Sequence, residues 1–176
     1  MDPLISSPRA AVALTGEVAR PALLTVDDLV DSAAWPVHHA EVTFLCSTSG
    51  ARRHRFSGPA LHDVVLSAAP AFPSGRRKDR TRFLLVVAGA DGHVAVLSWA
   101  EIDPDFAGSA VLLATHADGS SLAGPGPQLV VPGDRYGARC VSRVGRVGVH
   151  RAGADTGDQG ERRGPATTSP IGRRAS

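Results

Sequence analysis

The chain has 176 residues, 43% of them hydrophobic and 20% charged, with 19 Lys and Arg against 17 Asp and Glu. That composition suits one soluble domain with a real core. The near-cancelling charge argues against a general nucleic-acid role, and no run approaches the roughly 20 apolar residues of a membrane helix. Two cysteines, Cys46 and Cys140, make no disulfide framework. The first residues lack a leader pattern of charge followed by an apolar stretch, so the expected setting is cytoplasmic and reducing.

Residues 1–20 are weakly patterned and read as a lead-in. Thr25 with Asp28 three residues on forms a capping box, which starts a short helix. WPVHHA breaks the chain. AEVTFLC then alternates as a strand, with Val42, Phe44 and Cys46 on one side. STSG turns it, and RHRFS returns as a second strand. GPALHDVVLSAAP is the clearest helix: Pro59 suits its first helical position, Leu61, Val64, Val65 and Ala68 make one apolar stripe, and Pro70 ends it. On that stripe His62 falls on the outer face. PSGRRKDR reads as an exposed basic loop.

RFLLVVA has the character of a buried strand, GADG of a hairpin turn, and HVAVLS of the returning strand. Ser98 and Glu101 give a second capping signal, before a short helix that stops at Asp103-Pro104. AVLLATH and QLVVP are further strands, separated by the turn ADGSS, and CVSRVGRVGVH is extended. Residues 151–176 hold five Arg against Asp155, Asp158 and Glu161, with almost nothing apolar. Such a segment is expected to be a disordered tail. The order of elements predicts a mixed α/β domain over 21–150 with short interspersed helices, not a regular βαβ array.

Cys46 invites two readings. A thiolate at a strand end is a soft metal ligand, and Arg52, Arg53, His54 and Arg55 follow closely. A cysteine aligned with Val42 and Phe44 is equally a small buried hydrophobe. The seven histidines are scattered without zinc-site spacing around either cysteine. No GxxxxGK[ST] phosphate loop and no G-x-S-x-G nucleophile elbow occurs. Arg135, Arg139, Arg143 and Arg146 gather near Tyr136, either as a solvated edge or as an anion-binding rim.

Taken together, LTVDDL, the strand-end Cys46, Gly58 in FSGPALHDVV, AGADGHVAVLSWAEI, LLATHADGSSLAGPGPQLVVPG and YGARCVSRVGRVGV resemble the molybdopterin-binding domain of sulfite-oxidase-like oxidoreductases. The resemblance runs from about Pro21 to His150. It implies a sulfite-oxidase-type mixed α/β fold that cradles a molybdenum-molybdopterin cofactor. Cys46 would be the metal ligand and catalytic residue. Arg139, Cys140, Val141 and Ser142 would bind the cofactor. Oxygen-atom or electron transfer on a small oxo-acid or oxide, with a redox partner protein, would follow. The chain departs from the family pattern at Gln128 and Ser142, where basic residues are usual, and at Ala88, Gly124 and Pro125. These departures raise an alternative: a non-catalytic descendant of the fold that serves as a binding or scaffold module.

Overall fold

A computed structural model describes residues 10–31, 33–46, 50–74 and 76–153; of Cys46 it describes the backbone only. The expected disordered tail falls outside these residues from 154 onward. Three sheets and three short α-helices make up the described chain, so the mixed α/β class read from the sequence holds.

The larger sheet has five strands: β1 (Ala11–Gly16), β2 (Ala22–Thr25), β5 (Phe83–Gly89), β6 (Val94–Ser98) and β11 (Val144–Arg151), in the order β2-β1-β11-β5-β6. Only the central pair β1 and β11 runs parallel. Residues 11–16 therefore correct the lead-in reading. VALT alternates buried Val12 and Leu14 with half-buried neighbours, a pattern too short to stand out until β11 pairs with it.

One face of this sheet carries Val12, Leu14, Leu85, Val87, Leu97, Val147 and Val149, all buried in the main core. Against it pack the apolar stripe of α2 (Leu61–Ser67), namely Leu61, Val64 and Val65, together with Trp99 and Ile102 of α3 (Trp99–Ile102). Burial of each such side chain contributes about 1.5–3 kcal/mol. Helix α1 (Val26–Asp31) starts as expected: the Thr25 amide donates to Asp28 Oδ2 at 2.7 Å, and the Asp28 amide donates to Thr25 Oγ1 at 3.1 Å.

The second unit is a long hairpin of β3 (His38–Cys46) and β4 (Gly50–Gly58), extended by β8 (His116–Ala117) and β9 (Ser120–Ser121). Strand pairing holds it at the base, where β8 pairs with Phe56 and Ser57. A smaller core of Val42, Phe56, Leu112, Ala114 and Val130 ties the hairpin to the pair β7 (Leu112–Ala114) and β10 (Gln128–Val130). Gly58 marks the crossing. A Cβ there would stand 2.5 Å from the Leu113 carbonyl oxygen and 2.8 Å from Ala114 Cα, so only glycine lets the strands approach.

Two other readings need correction. Ser98 makes no side-chain cap on α3, because Glu101 turns away to Arg139. The basic loop takes up helical structure: Arg77–Arg82 forms a 3-10 helix, and Arg80 reaches the buried Asp103.

Candidate functional site

The hairpin and the loop after β10 frame the region where the sequence places its chemistry. Cys46 ends β3 opposite Gly50. This is the hairpin tip, where Leu45 is 38% exposed and Gly50 and Ala51 are exposed. Alternation along β3 and β4 separates two faces. On one, Phe44, His54 and Phe56 bring their rings within 5.8–6.2 Å of each other. The Phe44 ring closes onto Gly137, whose φ of +62° and lack of a Cβ make the contact possible. On the other, Glu41 sits between two arginines, with Arg53 Nη1 at 3.1 Å and Arg55 Nε at 3.3 Å.

Besides a hollow of about 310 Å³ along His39, Ala40 and Phe56, two more flank the hairpin. One of about 580 Å³ is lined by Arg53, Arg55, Asp118 and Gly119. The other, of about 360 Å³, lies between Thr43 and Leu45 on β3 and Pro132, Asp134 and Arg135 on the loop. Asp118 organises the first. It accepts the Arg55 amide at 2.8 Å and contacts His54 Nδ1 at 2.8 Å. The Arg55 amide and the His54 hydrogen bond hold the Asp118 carboxyl below the ordinary aspartate range. Sequence reading took Asp118-Gly119 for a turn alone. Asp118 does turn, with φ +49°, and also reaches 63 residues back to Arg55, which no local pattern signals.

The four residues expected to bind a cofactor are placed differently from one another. Arg139 is 34% exposed at its side chain and already has two partners. Its Nη1 donates to Glu101 Oε1 at 2.8 Å, its Nη2 to Asp134 Oδ1 at 2.6 Å, and its Nε to Asp134 Oδ2 at 2.9 Å. These hydrogen bonds push the guanidinium pKa further up and hold Asp134 below its ordinary value. Cys140 is half-buried, and desolvation raises its thiol pKa, so it stays protonated at neutral pH. Val141 is fully buried and bridges to Leu129 through its backbone. Ser142 is exposed. Gln128, in β10, pairs with Ala114 of β7.

Arg139, as placed, is not free to anchor a molybdopterin phosphate. A pterin phosphate needs free donors and positive charge, whereas the one cation of the segment is held bidentately by one carboxylate and capped by another. Glu101 and Asp134 are thus residues that sequence reading missed as partners. The first was assigned to a helix cap. Among the described residues, no three His, Cys, Asp or Glu side chains stand close enough to share a metal ion.

The Asp134 pairing has a pH signature. A carboxyl whose folded pKa is depressed contributes stability that is present above its unfolded pKa of about 3.9 and is lost as pH falls through the lower folded value. The stability difference between the wild type and Asp134→Asn is expected to be constant from pH 7 to about pH 5 and to shrink below about pH 4. Urea midpoints measured on both proteins across that range check it.

No family model and no curated protein matches the chain. Among solved structures, it is similar to the sulfane dehydrogenase SoxCD from Paracoccus pantotrophus, with a TM-score of 0.60 and 20% sequence identity over 80% of this chain. It spans only 38% of that chain's length. At that identity the likeness is one of fold, and it agrees with the mixed α/β architecture reached from the residues.

Proposed function

We propose that the chain is a sulfite-oxidase-type molybdopterin-fold module that works by binding, without a molybdenum centre held through Arg139–Ser142. The carrying observation is the double carboxylate clamp on Arg139. A cation engaged in this way stabilises the fold of the loop after β10 and offers little to an incoming phosphate. The ligand that suits the remaining charges is a small oxo-anion in the hollow beside β4. Arg55 is 80% exposed at its side chain, and only one of its nitrogens is tied to Glu41. The guanidinium fork of Arg53 or Arg55 matches an oxo-anion.

Titrating the isotope-labelled chain with sulfite, followed by amide and Arg Nε resonances, tests this. Saturable shifts at Arg53, Arg55 and Gly119 are expected, weakened about tenfold in Arg55→Ala. Shifts that never saturate, or that survive the substitution unchanged, contradict it.

A second reading rests on one placement: Cys46 ends β3 one residue after Leu45, which lines a hollow with Arg135. In that reading the chain is an oxidoreductase, Cys46 supplies the sulfur ligand, and the bound cofactor supplies the oxygen-atom or electron transfer. Reduction and reoxidation would need a redox partner protein. This reading predicts about one molybdenum per chain, lost in Cys46→Ser. The binding-module reading predicts that Cys46→Ser keeps both fold and anion binding.

A further inference from the structure

The base of the hairpin also borders a further cavity, distinct from the hollows above. It lies where β3 begins, eight residues and about 27 Å of strand from Cys46. Its volume is about 230 Å³, and its polar wall is His38, His62, Asp63 and Ser109, over an apolar floor that includes Ile102 and Pro104. His62, expected on the solvent face of α2, is instead 15% exposed at its side chain. Its ring lies 5.2 Å from that of buried Trp99, tilted by 36°. Its Nδ1 is 2.8 Å from Asp63 Oδ1. Trp99 is fixed in turn, donating from Nε1 to Asp103 Oδ2 at 2.6 Å. The imidazole is thus held on one side by a locked ring and at one nitrogen by a carboxylate.

We infer that this cavity is a binding site for a small primary ammonium ligand with a short apolar body. The wall offers the Asp63 carboxylate, the His38 and His62 rings and the Ser109 hydroxyl. Neither His62 Nε2 nor Asp63 Oδ2 has a hydrogen-bond partner among the described residues. In the loop that forms the far wall, the amides of Gly108, Ser109 and Val111 are taken, donating to the carbonyls of Asp103, Glu101 and Ser109. No Lys or Arg lines the cavity. An anion would meet one carboxylate and no fixed cation. An ammonium group brings three donors and a complementary charge, and Ile102 and Pro104 accept its apolar body.

The test uses the full labelled chain titrated with benzylamine and, separately, with benzyl alcohol as its neutral counterpart. The amine is expected to shift His62 ring and Ser109 resonances saturably, with the alcohol at least about tenfold weaker. Asp63→Asn is expected to weaken the amine about tenfold while the amide spectrum stays dispersed. Equal binding of amine and alcohol by the wild type overturns the assignment, whatever the variant does. So does the absence of saturable shifts at these residues.

Discussion

Replacing Asp103 with alanine is expected to destabilise the chain by about 3–5 kcal/mol, the cost of breaking a buried charged pair from one side. Asp103 is 2% exposed and ties three elements together. Its Oδ2 accepts Trp99 Nε1 from its own helix and Arg80 Nη1 at 2.8 Å from the 3-10 helix. Its Oδ1 accepts the Asp105 amide at 2.9 Å. Alanine leaves the indole N–H without an acceptor in a dry core and leaves Arg80 with Asp105 alone. Asp103→Asn keeps the shape and one acceptor, so about half of the loss is expected from it. Urea unfolding of the three proteins measures both steps. A loss below about 1 kcal/mol for the alanine variant would mean that the network is ornamental.

The second large effect concerns Arg139. Arg139→Gln is expected to cost about 2–3 kcal/mol in protein carrying no cofactor, since it leaves Glu101 and Asp134 facing each other without their shared cation. The figure sits below that for a fully buried pair because the guanidinium is one-third exposed and solvent screens it. A double-mutant cycle with Asp134→Asn is expected to return a coupling of about 1 kcal/mol or more. Were Arg139 a free cofactor anchor, its removal would leave the stability of the empty chain within about 0.5 kcal/mol of the wild type.

Much of the fold could be read from local pattern. The Thr25–Asp28 box, the α2 stripe and the β5–β6 hairpin depend on residues a few positions apart, and each formed as read. What escaped depended on distant partners. β1 is a strand because β11, some 130 residues later, lies parallel to it. Ser98 and Glu101 have the spacing of a cap, yet Arg139 competes for the carboxylate and wins with a charge-assisted bond. His62 sits at an outward position on a helical wheel, but α3 crosses there and Trp99 covers it. The arginine of YGAR looked like a ligand for phosphate because its two carboxylates lie five and 38 residues away. Cys46 was placed correctly at a strand end, and its strand proved to be one arm of an exposed hairpin.

The central claim is that the cation of the Arg139–Ser142 segment belongs to the fold and not to a cofactor. Molybdenum and pterin content, measured on protein purified from a host competent to make the cofactor, tests it most directly. The account predicts less than about 0.1 molybdenum per chain in the wild type, unchanged in Cys46→Ser. About one molybdenum per chain, lost with Cys46, would contradict it and establish the oxidoreductase reading.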